Sequence, residues 1–344
     1  MNEFSELEEV PEFLPDEINK VTLYARLIHV LETALKLNIF DFLKKPASIE
    51  ELAKHTGVEV ELLEKLCNVL VAIGLLKERN SSYENTIIAN TYLVSNSPYT
   101  IKHLLSSYVQ SLRSKWSRLS EAILNAPLKN VDKSSPEEFT LAMAESAMCG
   151  ELQKTLNTLK RVEDFKKASK LLDLGGGHGL YAIAFARAFP NLHVYILDFP
   201  HVIEIAKKIT SKYIERYKLQ ERVHFIAADF TKDDIGSNYD IIFASHVFYS
   251  KIELLPDILR KIYMALNSNG LFISKHTYVN ETRDGPLRAL LFELQLSAFH
   301  YGSKYRLFTL REFISQLTRI GFVIEHVEDV LESKLVIARK SIRS

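Results

Sequence analysis

The chain has 344 residues, 47% hydrophobic and 25% charged, with 43 Lys plus Arg balanced by 43 Asp plus Glu. That length allows one large domain or two ordinary ones with packed cores, and the zero formal charge argues against a nucleic-acid partner. Two cysteines, Cys67 and Cys149, are too few for a disulfide framework and lack metal-site spacing, so a reducing, cytoplasmic setting is expected.

Seven Asp or Glu precede the first basic residue, Lys20, a start that fits neither a signal peptide nor a transit peptide. No apolar run approaches the ~18 residues of a membrane span, so no membrane partner is expected. From Ile18 to Leu43 the apolar positions Leu23, Leu27, Val30, Ala34, Leu35, Ile39 and Phe42 recur at roughly helical spacing and predict helices with one buried stripe. Ser48 is placed as N-cap of a short helix with Glu51 at the capping-box position. Gly57 breaks the chain before a second helix, Glu59 to Ile73, which Gly74 closes. Leu75 to Arg79, the turn Asn80-Ser81-Ser82 and Tyr83 to Ile87 complete a two-stranded wing. Helix, turn, helix and wing make a winged-helix unit. Its second helix carries Glu59, Glu61, Glu64 and Lys65 among mainly apolar residues, which suits a partner helix better than a DNA groove.

Thr100 to Ala126 predicts an amphipathic helix containing Trp116, residues 131–136 a polar connection, and Glu137 to about Val162 a further helix. Short strands then alternate with helices. Strands are expected at Leu171–Leu174, His193–Leu197, Val223–Ala228, Tyr239–Ala244 and Leu271–Lys275, with helices near 180–189, 200–217 and 251–266. The pattern predicts an α/β fold with a Rossmann-like, doubly wound sheet. Phe322–Val330 and Lys334–Arg339 are joined by a turn too short for a crossover helix, so the last strand should be antiparallel.

Four of the twelve glycines fall at Gly175, Gly176, Gly177 and Gly179 around His178, directly after the first of these strands. Glycine tolerates positive φ and lets a backbone pass close to a ligand, so the cluster is expected to be a cofactor loop. It lacks the Lys of a Walker loop and fits the dinucleotide fingerprint only partly, because the third glycine would fall at Leu180. Asp198 ends the second strand, where a carboxylate can grip ribose hydroxyls. Asp229 and Phe230 end the third, where an acid beside a ring suits an adenine. Each aspartate alone could equally be a turn residue.

The segments Leu35–Asp41, Glu51–Ala53, Leu172–Gly179, Leu197–Pro200, Phe308–Phe313 and Gly321-Phe322 resemble class I S-adenosylmethionine-dependent methyltransferases. The resemblance is to the plant-type, or family 2, O-methyltransferases with an N-terminal winged-helix dimerisation domain, and it covers nearly the whole chain. It implies a homodimer, S-adenosyl-L-methionine as cofactor and a small, largely apolar, aromatic acceptor. It also implies three segments: 1–100 for dimerisation, 101–165 as a helical connection contributing to the acceptor pocket, and 166–344 for cofactor binding. Asp173, Gly175, Gly177, Asp198, Asp229, Phe230 and Ser245 fall at cofactor-binding positions, and Phe139, Met143, Leu296 and Phe299 at acceptor-pocket positions. Packing is an equal explanation for the pocket set.

The family's catalytic histidine is not where the resemblance expects it. Counting from Asp240, that position holds Tyr249, and His276 and Tyr305 stand where acidic residues flank the base in plant relatives. Tyrosine is a poor base at neutral pH, so His246, His276 and His300 compete with Tyr249 for the catalytic role. O-methylation ranks first. A tyrosine here also resembles a carbon-methylating branch of the fold, and a cofactor-sensing winged-helix regulator without catalysis is the alternative of another class. His178, His246 and His276 read as hydrogen-bonded loop residues, with no metal expected.

Overall fold

The computed structural model describes residues 16–128, 131, 135–249 and 252–341. Most of the acidic start, Asp132 to Ser134 of the polar connection, and Ser250 and Lys251 after the fourth sheet strand lie outside the described residues. The chain divides into two compact units after Val109.

The first unit is mainly helical. Its opening helix, Asp16–Lys36, buries Ala34 and Leu35 in a core with Ile39, Phe40, Leu52, Leu63 and Leu70. Ile18, Val21, Leu23 and Tyr24 at the start of the same helix remain at least half exposed. The expected buried stripe therefore holds only over the second half of the helix, because no described apolar residue of the unit covers the first. Helix Ile49–Thr56 begins with the predicted capping box: the Ser48 hydroxyl accepts from the Glu51 N–H, and Glu51 Oε2 accepts from the Ser48 N–H at 2.8 Å. Gly57, at φ 71°, ends that helix, and Val60–Ala72 follows. The wing has one strand more than predicted: β1 (Ala47–Ser48), β2 (Leu76–Arg79) and β3 (Ser82–Asn85) form a sheet in the order β1-β3-β2. A two-residue strand carries no periodicity to read.

The second unit is built on seven strands: β4 (Lys170–Leu174), β5 (His193–Asp198), β6 (Val223–Ala227), β7 (Tyr239–Ser245), β8 (Leu266–His276), β9 (Phe322–Val330) and β10 (Ser333–Lys340). Their order is β6-β5-β4-β7-β8-β10-β9, all parallel except β10, which runs antiparallel to both neighbours. This is the expected Rossmann-like sheet with a reversed last strand. The central strands are mainly apolar because helices cover both faces, with Asp173 on β4 and Lys275 on β8 as buried exceptions. Phe165, Phe185, Phe243 and Ile273 pack one core, and Ile242, Leu259, Phe272 and Phe313 the other. The chain winds outward from β4 to β6 and returns beside β4 at β7, so the crevice at the carboxyl ends of β4 and β7 is the topological switch point.

The helix expected over 137–162 is interrupted. It runs as Pro136–Ser146 and Leu152–Leu159 with a π-helical segment, Ala147–Glu151, between them, in which Gly150 takes φ 110°. Thr100 to Ala126 is likewise divided, into Lys102–Ser114, a single turn at Trp116–Arg118 and Leu119–Leu124.

Candidate active site

The glycine loop joins β4 to the helix Leu180–Ala188. Gly175, Gly177 and Gly179 all have positive φ, at 66°, 52° and 73°. At Gly175 a Cβ would sit 2.4 Å from Val247 Cγ1 and 3.6 Å from the Phe230 ring, so the loop passes too close to its neighbours for any side chain. At Gly177 the nearest atom is the Gly175 carbonyl oxygen at 4.0 Å, which leaves its backbone open to a ligand. Asp198 fixes the loop from β5. Its Oδ2 accepts the Gly177 N–H at 2.9 Å and its Oδ1 the Phe199 N–H at 2.7 Å.

Two carboxyls behind this loop influence one another. Asp173 is fully enclosed, its Oδ2 has no hydrogen-bond partner, and burial together with the Asp198 charge pushes its pKa up to about 7. Burial also raises Asp198, against the pull of the Phe199 and Gly177 N–H groups. An unpartnered buried oxygen beside an open glycine backbone is an arrangement that a polar ligand could satisfy. Phe230 borders the loop, whereas Asp229 uses Oδ1 to accept from the Thr231 N–H and hydroxyl at 3.0 and 2.6 Å, closing its own turn. Ser245 ends β7 and is half-buried near Tyr181.

The candidate catalytic side chains separate into three environments. His300 is exposed. His276 is buried with its ring stacked 4.8 Å from Phe248, and its Nε2 accepts the N–H groups of Val247 and Phe248 at 3.1 and 3.4 Å. Its lone pair is thus committed to the loop backbone, and burial holds its pKa well below the usual histidine value. His246 and Tyr249 are joined instead: Tyr249 Oη lies 2.7 Å from His246 Nδ1 and accepts the Thr277 N–H at 2.9 Å.

On the far side of that imidazole stand residues that carried no motif. Glu151, at the end of the π-helical segment, places Oε1 3.3 Å from His246 Nε2, 2.7 Å from Lys275 Nζ and 2.9 Å from Ser333 Oγ. Lys275 is wholly enclosed and also donates to Tyr181 Oη at 2.9 Å. Burial alone would raise the Glu151 pKa, but the His246 hydrogen bond and the Lys275 charge hold it far below the carboxylate range. A strand-end lysine and a helical glutamate far apart in sequence gave no signal. The helix was read as continuous, and its interruption at Gly150 is seen only in the structure.

The expected pocket residues are similarly divided. Leu296 is buried beside Tyr249, Phe292, Tyr305 and Leu307. Phe299 packs in a separate cluster with Ala122 and Leu128, edge-on to Trp116. Phe139 and Met143, one turn apart on Pro136–Ser146, remain exposed.

The family model for the O-methyltransferase domain matches residues 105–323, and that for the O-methyltransferase dimerisation domain matches residues 20–95. The chain belongs to the S-adenosylmethionine-dependent O-methyltransferase family. The chain is 38% identical over 275 residues to an uncharacterized protein of Methanocaldococcus jannaschii, covering 78% of this chain and 71% of the other. It is 26% identical to the 3-hydroxy-5-methyl-1-naphthoate 3-O-methyltransferase of Streptomyces sahachiroi, over 80% of this chain and 81% of that one. The acetylserotonin O-methyltransferase of Gallus gallus is also 26% identical, over 78% and 81% of the two chains. Among solved structures, human N-acetylserotonin methyltransferase in complex with SAM superposes with a TM-score of 0.79 at 20% identity, covering 97% of this chain and 100% of that one.

Proposed function

We propose that the protein transfers the methyl group of S-adenosylmethionine to a hydroxyl on a small, largely apolar, aromatic acceptor. The carrying observation is the Tyr249–His246–Glu151 chain of hydrogen bonds at the carboxyl edge of the sheet, beside the glycine loop. The residues that would hold the cofactor are Gly175 and Gly177 through their backbones, Asp198 through its remaining lone pairs, Asp173 through its unpartnered oxygen, and Phe230 through its ring. The cofactor supplies a methyl group on a sulfonium, whose departure as a neutral thioether needs no acid from the protein.

What remains for the side chains is to orient the acceptor, exclude water and take one proton. Tyr249 is enclosed by Phe292, Leu296, Leu307 and Tyr305, surroundings that favour an aromatic ring. Tyr278 and Tyr305 bear buried hydroxyls without hydrogen-bond partners close by, which a polar substituent could satisfy. Burial pushes the Tyr249 phenol up, so it is a hydrogen-bonding group and not a free phenolate. The proton therefore needs a further destination, and His246 is in contact with it.

The test is incubation with 13C-methyl S-adenosylmethionine and a panel of phenols, naphthols and hydroxyindoles, with the product's methyl resonance read by NMR. A methoxy signal supports the proposal. A carbon-bound methyl, or cofactor binding with no transfer to any hydroxyl in the panel, overturns it.

A further inference from the structure

We propose that Glu151 and Lys275 are positioning residues that hold His246 as the Nε2–H tautomer, so that its Nδ1 lone pair is free to receive the Tyr249 proton. This rests on the methyl-transfer reading above for its purpose, but its geometry stands alone. Ionised Glu151 is acceptor-only, and the Ser333 hydroxyl, also 3.3 Å from His246 Nε2, donates its proton to Glu151 Oε1 at 2.9 Å, so the proton at Nε2 belongs to the imidazole. With Nε2 protonated, neutral His246 must present a lone pair at Nδ1, and among the described residues the donor in contact with it is the Tyr249 hydroxyl, 2.7 Å away. Tyr249 Oη already accepts the Thr277 N–H, which leaves one lone pair for a hydrogen-bond donor from an acceptor molecule.

The proton path balances. As the acceptor's O–H bond breaks, a new bond forms to Tyr249 Oη; the original Tyr249 O–H bond breaks as His246 Nδ1–H forms. The imidazolium so made rests against the Glu151 carboxylate and later loses one proton to solvent. Tyr249 ends as it began.

Lys275 sets the strength of this arrangement. It is completely enclosed, pairs with Glu151 at 2.7 Å and donates to Tyr181, so it keeps the carboxylate ionised and fixed. Among the described residues, the charged and titratable groups around His246 are Glu151, Lys275, Tyr249 and His276, whose ring centre lies 6.0 Å away. His178 and Tyr181 face the ion pair from the glycine loop and its helix. Glu151 draws a proton onto His246, and Lys275 opposes it. The two residues thus act on the same imidazole with opposite sign.

That opposition supplies a test that general destabilisation would not mimic. Long-range 15N–1H correlation spectra of the full chain report the tautomer and titration of each histidine, and the His246 peaks are identified by their loss in His246→Gln. The native protein should show His246 with Nε2–H. In Glu151→Gln the side-chain amide can donate to Nε2, so the tautomer should become Nδ1–H and the titration midpoint should fall. Glu151→Asp should retain Nε2–H. Lys275→Met should raise the midpoint, and the double variant Glu151→Gln with Lys275→Met, which leaves no unpaired charge, keeps the test open if the single lysine variant does not fold. With an acceptor from the panel, Glu151→Gln should lower kcat ~10²-fold with cofactor affinity unchanged. An Nδ1–H tautomer in the native protein, or midpoints that move in the same direction in both single variants, would overturn the inference. Absence of methyl transfer alongside the expected tautomer changes would instead overturn the function proposed above and leave this assignment standing.

Discussion

His276 shows how a residue type misleads when only its position is known. It stands where the sequence reading placed a candidate base, yet it accepts two backbone N–H groups and keeps the Val247-Phe248 turn in place. His178 is similar: its Nδ1 accepts the Leu180 N–H at 3.0 Å, and burial depresses its pKa to about 4. With His246, these three imidazoles of the site have folded-state pKa values below the ordinary 6.5, as does His224 away from it. The unfolded chain then binds protons that the folded chain refuses, so their stabilisation is present above that pH and is lost as pH falls below it. Each contributes up to about 1.4 kcal/mol per pH unit. The melting temperature should decline from about pH 6.5 to pH 5, and His276→Gln, whose amide oxygen can still accept the backbone N–H groups, should flatten that slope. A slope unchanged by the substitution would contradict the assignment. The glycines and Asp198 were legible because their chemistry is local. Glu151 and Lys275 were not, because an ion pair across 124 residues leaves no spacing to read.

Elements carry a second kind of information. The strands of the parallel sheet were readable because they are mainly apolar and separated by helices and short loops, and the capping box at Ser48 because its two partners are three residues apart. The π-helical segment at 147–151 was not, since its sequence reads as unbroken helix apart from Gly150. Such segments recur at functional sites because they turn a side chain out of helical register. Here the turned residue is Glu151. A Cβ at Gly150 would meet only Leu331 Cδ1, at 3.9 Å, so the penalty for Gly150→Ala is conformational and not steric. The variant should lose about 1–2 kcal/mol in denaturant unfolding and disturb the His246 tautomer as Glu151→Gln does. Full stability with an unaltered His246 spectrum would show that the glycine does not set the position of Glu151.

At the scale of the whole molecule, the exposed start of the first helix needs an explanation. Ile18 and Val21 are each 67% exposed and Tyr24 62%, more apolar surface than a lone unit leaves in water. Together with the dimerisation-domain match, this supports a homodimer that covers this helix. Light scattering at micromolar concentration should give twice the chain mass, and Ile18→Glu with Val21→Glu should shift it toward the monomer. A monomeric native protein would contradict the proposal. The sheet order places the glycine loop, Asp198, Phe230 and Tyr249 along one edge, and that juxtaposition is the reason to read them as one site. Calorimetric titration of the full chain with S-adenosylmethionine tests this most directly. One cofactor should bind per chain, with affinity falling at least about tenfold in Asp198→Ala, which removes both the carboxylate proposed to bind ribose and the clamp on Gly177. No binding to the native protein, or equal binding to the variant, would contradict the account.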